Sequence, residues 1–191
     1  GIRDQPRSRG LGDVYKRQSE DNVLDRFVQA GKAIGAQHLV RVCGDNPLID
    51  IPLLRSLVKA HIESDPDYTV ASDPIPLGVG CEVVRLETLK KIAQQAHELK
   101  YQEHVTTWIH DHYDNFTITH VEPPAYLKNC SFRLTVDTPE DFALMEKIFS
   151  QIHPIPPSNL NIENVIQFLE AHPQVSTLNS KIKQKDWRAK N

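Results

Sequence analysis

Short apolar, β-branched runs alternate with amphipathic stretches from about residue 19 to residue 152. The run HLVRVC at 38–43 is apolar on both faces, which is typical of a strand covered by helices on both sides of its sheet. The same patterns predict strands at 38–43, 68–72, 81–85, 116–122 and 132–136, and helices at 20–35, 51–64, 86–99, 103–113, 138–152 and near 161–171. Strands that alternate with helices predict an α/β fold with a mostly parallel sheet.

Residue types at the helix ends support this assignment. Ser19 precedes the first predicted helix, and Gly35 is placed to end it. Pro52 lies in the first turn of the second helix, while Thr138 and Pro139 open the helix at 138–152. These positions predict where the helices begin and end independently of the apolar pattern.

Composition narrows the classes of function. The 191 residues suit one domain, and the net charge of −3 argues against a general nucleic-acid binder, which usually carries a basic face. No apolar run approaches the roughly 18 residues of a membrane span, so we expect no membrane partner. The three cysteines are odd in number and form no CxxC pair, which indicates a reducing cytoplasm and neither a disulfide framework nor a zinc site.

The first 18 residues differ from the rest of the chain. They show no helical or strand periodicity and are rich in Arg, Gly and Asp. The run RSRGLG at 7–12 is one candidate for a phosphate-binding loop, but it lacks the strand that should precede such a loop. The run DVYKRQ at 13–18 back-translates to a transposase end used in preparing sequencing libraries. We therefore expect 1–18 to be a non-native or disordered leader that does not pack on the domain.

Two aspartates directly follow predicted strands. Asp45 comes after the run at 38–43, in RVCGDNPLID, and Asp137 comes after FRLTV at 132–136. In open α/β sheets, ligands bind beyond the carboxyl ends of the strands, and Mg²⁺ is typically held by one or two carboxylates together with substrate phosphates. A shared Mg²⁺ site is therefore one interpretation. The other is that Asp45 only caps a turn and Asp137 only favours a helix N-terminus.

Several segments together resemble the cytidylyltransferase family, which includes the acylneuraminate and KDO cytidylyltransferases. Two segments, VRVCGDNPLID and FRLTVDTPEDFALMEKIF, carry most of the resemblance, and it is closest to the spore-coat polysaccharide biosynthesis group. The supporting segments are SEDNVLDRF at 19–27, PLGVGCEVVRLETL at 76–89, EHVTTWI at 103–109 and LNSKIKQKDW at 178–187.

The resemblance implies a three-layer nucleotide-diphospho-sugar transferase fold, with a mostly parallel mixed sheet between helices. It implies a nucleotidyltransferase domain at 19–153, followed by a linker and a C-terminal helical extension at 154–191. The family's first βαβ part, whose loop holds the nucleotide, is not recognisable before Ser19. We therefore expect a chain that lacks this part and is inactive by itself.

The implied reaction is the transfer of CMP from CTP to a sugar, in surface polysaccharide or nonulosonate-type glycan biosynthesis. By resemblance, Asp45 and Asp137 bind Mg²⁺, and Glu82, His104 and Arg133 bind substrate. Arg133 is equally well explained by pairing with a surface acid, and His104 is better explained by a structural role. The relatives also suggest a homodimer.

Two other functions stay open. A metal-dependent glycosyltransferase of similar fold would require a D-x-D motif, whereas GDNPLID offers D-N-P. A non-catalytic remnant that only interacts with other chains is the third hypothesis.

Overall fold

A computed structural model describes residues 22–128, 130–152 and 161–184. The helices are α1 Val23–Ile34, α2 Ile51–Ser64, α3 Leu86–Gln95, α4 Leu99–Glu103, α5 Thr107–Asp111, α6 Pro139–Gln151, α7 Ile162–Ala171 and α8 Pro173–Ser176. The strands are β1 His38–Arg41, β2 Tyr68–Ala71, β3 Glu82–Arg85 and β4 Ile118–Val121. Two short 3₁₀ turns cover Tyr113–Asn115 and Ala125–Leu127. The predictions for 1–18 and for the link after 152 fall outside the described residues.

The four strands form one mixed sheet in the order β1-β3-β2-β4. Strands β2 and β4 are parallel, whereas β3 runs antiparallel to both β1 and β2. The predicted α/β class with a mixed sheet is confirmed, but parallel pairing does not dominate in the described part of the sheet. The connection from β2 to β3 at 72–81 contains no helix, and a parallel return normally needs a crossover of a dozen or more residues.

Helices cover both faces of the sheet. Successive side chains of a strand point to opposite faces, so each face has its own apolar side chains that pack on helices. Tyr68 and Val84 pack in one apolar cluster with residues of α1, α3, α4 and α5. Val83, on the other face, packs in a second cluster with residues of α2, α6 and α7. The result is the three-layer arrangement implied by the sequence. In the ranges that the structure describes, no helix is both long and apolar enough to cross a membrane.

Local capping signals predicted several helix ends correctly. Gly35 adopts the left-handed conformation, with φ 65°, and caps the C-terminus of α1. Pro52 lies in the first turn of α2, and Thr138 is the N-cap of α6 with Pro139 next. The start of α1 differs from the prediction: Asn22 is its N-cap, and its side chain accepts the N–H of Asp25 at 2.8 Å.

The helical region at 86–113 is more broken than predicted. Helix α3 ends at Gln95, because Ala96 takes an extended conformation with its side chain buried in the core. Helices α4 and α5 follow as two single turns, and of the helix that the apolar pattern predicted over 103–113 only α5 and the last residue of α4 are α-helical.

The predicted strand at 132–136 is wrong. Only one isolated bridge forms, between Leu77 and Arg133. The backbone N–H groups of this segment bond to separate parts of the chain: that of Leu134 donates to the carbonyl of Leu77 at 2.7 Å, and that of Val136 to the carbonyl of Asp45 at 2.9 Å. Since no single neighbouring strand supplies the partners, a regular ladder cannot form.

Gly78 allows the close approach of the two segments. Its φ is +94°, and a Cβ atom built there would lie 2.5 Å from backbone atoms of Leu134 and Thr135. Only glycine combines this backbone conformation with so little space. The contact fixes 132–136 against the loop that precedes β3, and so fixes the position from which Asp137 emerges.

Candidate active site

Asp45 and Asp137 are carried by two backbone segments in direct contact. The carbonyl oxygen of Asp45 accepts the N–H of Val136 at 2.9 Å and the hydroxyl of Thr135 at 3.4 Å. Asp137 follows Val136 directly, and the side chains of both aspartates are exposed. The structure therefore brings together the two carboxylate-bearing segments, although 132–136 does not form the predicted strand.

The charge environment of Cys43 links a third predicted residue to this region. Burial raises the pKa of the Cys43 thiol, the positive charge of Arg41 opposes this, and the negative charges of Asp45, Glu82 and Asp137 raise it further. All three carboxylates therefore lie close enough to act on one sulfur. A thiol with a raised pKa is a packed group and not a nucleophile.

Glu82 is bonded to three side chains around the start of β3. One carboxylate oxygen accepts the hydroxyl of Tyr68 at 2.5 Å, and the other accepts Arg41 Nη1 at 2.9 Å and the hydroxyl of Thr106 at 3.1 Å. Burial, together with the adjacent negative charge of Glu82, raises the pKa of Tyr68 well above its ordinary value. Glu82 is thus held rigidly, with its side chain 18% exposed.

His104 lies in the same neighbourhood along the chain. It ends α4 and is partly buried, and its carbonyl oxygen accepts the N–H of Thr107 at 2.9 Å. The next residue but one is Thr106, whose hydroxyl reaches Glu82. The turn that begins at His104 therefore delivers one of the donors that fix the Glu82 carboxylate.

Arg133 is directed to carboxylates of its own chain. Its Nε donates to Asp141 Oδ1 at 2.8 Å, and its Nη2 donates to Asp141 Oδ2 at 3.0 Å, which forms a two-pronged ion pair. The same Nη2 also donates to Asp137 Oδ2, and Nη1 donates to Gln184 Oε1. The Arg133 side chain is only 11% exposed.

Asp141, the most buried carboxylate at this edge, was not among the predicted site residues. Its side chain is 0% exposed and accepts hydrogen bonds from Arg133, Asn179 and the backbone N–H groups of Asp137 and Thr138. Burial alone would raise the pKa of Asp141, but these hydrogen bonds outweigh it and hold the pKa well below its usual range. The signal for this residue was present in the capping-box spacing of Thr138 and Asp141.

Asp50, the last acid in RVCGDNPLID, has a structural role. It is 2% exposed and caps α2, accepting the N–H of Leu53 at 2.7 Å. Its other oxygen accepts the hydroxyl of Tyr126 at 2.8 Å. The two acids of this loop therefore differ: Asp45 faces solvent, and Asp50 holds the loop against α2.

The donor set at this edge suits a hard cation. Two exposed carboxylates on adjoining segments are oxygen ligands, the kind that Mg²⁺ takes alongside phosphates and water. Within the described ranges, no group of three or more His, Cys, Asp or Glu side chains forms a complete metal cage. Mg²⁺ that is shared with substrate phosphates does not need one, so Asp45 and Asp137 fit this ion better than a structural metal.

Comparison with known proteins gives a consistent result. A family model described as cytidylyltransferase matches residues 2–184, a match that includes most of the N-terminal segment. An uncharacterised protein of Methanocaldococcus jannaschii is 38% identical over 181 residues, which cover 93% of this chain and 72% of that protein. The spore coat polysaccharide biosynthesis protein SpsF of Bacillus subtilis is 35% identical over 162 residues, covering 84% of this chain and 66% of that protein.

One solved structure is also similar. It is that of a cytidylyltransferase from Leptospira borgpetersenii, with a TM-score of 0.77 over 88% of this chain and 70% of that chain. At 22% sequence identity, this similarity supports the fold.

Proposed function

Because this chain belongs to the cytidylyltransferase family, we propose that it takes part in the transfer of CMP from CTP to a sugar. In this reaction a sugar hydroxyl attacks the α-phosphorus of CTP in line, the hydroxyl proton is released, and pyrophosphate leaves. The protein contributes mainly by positioning the reactants and by neutralising the phosphate charge. The similarity to a spore-coat polysaccharide protein supports a role in the synthesis of surface glycans.

The contact between the Asp45 and Asp137 segments is the observation that carries this proposal. The hydrogen bond from Val136 N–H to the carbonyl of Asp45 joins the two segments that carry these exposed carboxylates. Exposed carboxylates on adjoining segments are of the kind that can bind Mg²⁺ with a triphosphate. A bound Mg²⁺ would offset charge that develops on the phosphates. The role of Asp45 and Asp137 is then to hold that ion at a fixed place beside the loop of residues 42–50.

The substrate-binding roles differ among the three remaining residues. The Glu82 side chain is 18% exposed and its carboxylate is held by three donors, which suits acceptance of a sugar hydroxyl in a fixed direction. His104 begins the turn that carries Thr106 to Glu82, so its contribution is to shape the surroundings of the Glu82 carboxylate. Arg133 has its donors on Asp137, Asp141 and Gln184, which favours a role in orienting protein groups.

We also propose that the 191 residues by themselves turn over slowly. The described residues supply the carboxylate edge and the Glu82 region, and the proposal rests on the run RSRGLG at 7–12, which lacks the preceding strand of a phosphate-binding loop. A chimera that joins the N-terminal part of the Bacillus subtilis relative to Ser19 tests this point, since it supplies the family's own leading segment.

The decisive assay measures pyrophosphate release from CTP, with and without Mg²⁺, using a panel of acidic and amino sugars. It is run on the chain, on the chimera, and on the chimera with Asp45→Asn or Asp137→Asn. We expect Mg²⁺-dependent release by the chimera, a preference for CTP over ATP, GTP and UTP, and losses on the order of a hundredfold or more in both variants, because each removes a metal ligand.

Asp114→Asn is the matched control, since Asp114 is exposed on the 3₁₀ turn at Tyr113–Asn115. It should leave turnover unchanged. Unchanged turnover in both Asp45→Asn and Asp137→Asn would show that the site is elsewhere. Full turnover by the unmodified chain would contradict the proposed dependence on the leading segment.

A further inference from the structure

We propose that Asp141 and Asn179 are positioning residues that fix Arg133 and, through it, the carboxylate of Asp137, so that the C-terminal segment is part of the metal edge. This inference rests on the proposed role of Asp137 as a Mg²⁺ ligand.

All three guanidinium nitrogens of Arg133 donate to side chains of its own chain. Nε and Nη2 hold the two oxygens of Asp141 at 2.8 and 3.0 Å, Nη2 also reaches Asp137 Oδ2, and Nη1 reaches Gln184. These four bonds use four of the five guanidinium N–H groups, so two-pronged binding of a phosphate or a sugar acid would require existing bonds to be given up. Its geometry is that of a clamp that holds one oxygen of Asp137 in place.

Asp141 supplies both the charge balance and the backbone anchor for this clamp. Its buried carboxylate offsets the charge of Arg133, so the charge of Asp137 is left to attract a cation. Asp141 Oδ2 also accepts the backbone N–H of Asp137 at 3.1 Å. Asp141 therefore fixes Asp137 twice, once through its main chain and once through Arg133.

Asn179 connects this arrangement to the C-terminal segment. Its Nδ2 donates to Asp141 Oδ1 at 2.7 Å and to the carbonyl oxygen of Arg133 at 3.0 Å, and the residue is 3% exposed. Both amide protons are thus used to hold the two members of the buried ion pair. Gln184, five residues further along the same segment, adds the bond to Arg133 Nη1.

The experiment measures metal binding directly, with Mn²⁺ alone as the probe and no turnover required. ¹⁵N NMR spectra of the full chain are recorded during a Mn²⁺ titration, and paramagnetic broadening is followed at the amides of 44–46 and 136–138. In the unmodified chain we expect broadening to begin at these amides. In Asn179→Ala and Asp141→Asn the Mn²⁺ concentration for half-broadening should rise about 10- to 100-fold, the usual cost of losing a group that orients a metal ligand.

A second readout follows the clamp itself. The side-chain Nε–H resonance of Arg133 should exchange slowly with water in the unmodified chain and fast in Asn179→Ala. The smaller change Gln184→Ala, at an exposed side chain, should weaken Mn²⁺ binding and speed the exchange of the Arg133 Nε–H, as Asn179→Ala does. It keeps the inference testable where Asp141→Asn does not fold. Val165→Ala is the matched control, because it removes buried side-chain volume from α7 and leaves Arg133, Asp141 and Asn179 unchanged. It should lower thermal stability and leave Mn²⁺ binding unchanged.

The outcomes separate this inference from the proposed function. Unchanged Mn²⁺ binding in folded Asn179→Ala and Gln184→Ala, with normal site-specific broadening in the unmodified chain, would overturn the positioning role and leave the proposed function standing. Equal weakening in Val165→Ala would also overturn it, because general destabilisation would then explain the effect. Weakened Mn²⁺ binding in the variants, together with no pyrophosphate release by the chimera, would support the clamp and count against the proposed reaction. Absence of site-specific broadening in the unmodified chain would refute the assignment of Asp137 and this inference with it.

Discussion

Acidification should destabilise the fold through His61, a buried histidine on α2. The residue is 0% exposed, its Nδ1 lies 2.8 Å from Thr69 Oγ1, and its Nε2 lies 3.0 Å from His38 Nδ1. The pKa of His61 is lowered from 6.5 to about 4, mainly by burial and then by the neighbouring His38 and Arg85, while Asp65 opposes them. Protonation would place a charge between the sheet and α2 with no carboxylate bonded to it in the described structure.

The direction and size of the effect follow from proton linkage. The unfolded chain takes up a proton at this histidine below about pH 6.5, whereas the folded chain does not do so until about pH 4. The unfolding free energy therefore falls as the pH drops through this window. With these two pKa values, the loss relative to pH 7 is about 2 kcal/mol at pH 5 and about 3 kcal/mol at pH 4.

Urea unfolding followed by tryptophan fluorescence at pH 7, 6 and 5 measures this loss. His61→Gln keeps hydrogen-bonding capacity but does not titrate, so its unfolding free energy should start lower and then vary little between pH 7 and 5. His97→Gln, at an exposed histidine, is the control and should follow the unmodified chain. The reasoning is refuted by an unmodified chain equally stable at pH 7 and 5, or by a His61→Gln variant that loses stability as steeply as that chain.

Two further predictions concern packing around the candidate site. Gly78→Ala should lower the unfolding free energy by about 3 kcal/mol or more, because the new Cβ meets the backbone of Leu134 and the residue keeps a positive φ. Gly44→Ala, which has open space around it, should change the unfolding free energy by only about 0.5 kcal/mol. Urea unfolding of both variants checks this, and equal effects would contradict it. Tyr126→Phe should cost about 1–3 kcal/mol in thermal or urea unfolding, because a buried oxygen of Asp50 loses a donor; a loss below about 0.5 kcal/mol would mean that water replaces the hydroxyl.

Local residue order determined the helix ends and the overall class of the fold. The Thr138 side chain caps α6 by accepting an N–H only three residues away, and Asp50 does the same for α2. Such contacts depend on neighbours within one helical turn, so the sequence contains all the information that they require. The alternation of strand-like with helix-like apolar runs likewise predicted the α/β class, because the spacing of apolar residues within each segment is enough to assign it as strand or helix.

The tertiary structure decided how the acidic and basic residues are partnered. Arg41 and Glu82 are 41 residues apart, Asn179 and Arg133 are 46 apart, and the contact that joins the Asp45 and Asp137 segments spans 90 residues. The pattern in 132–136 was that of a strand, yet its backbone bonds go to separate segments, so the ladder never forms. A charged side chain has the same local signature whether it faces solvent or a buried partner, and only the folded chain brings that partner within hydrogen-bonding distance. For this reason the sequence could predict a metal site at Asp45 and Asp137, whereas the bonds that join Asp141 and Asn179 to Arg133 emerged only from the packing of the C-terminal segment.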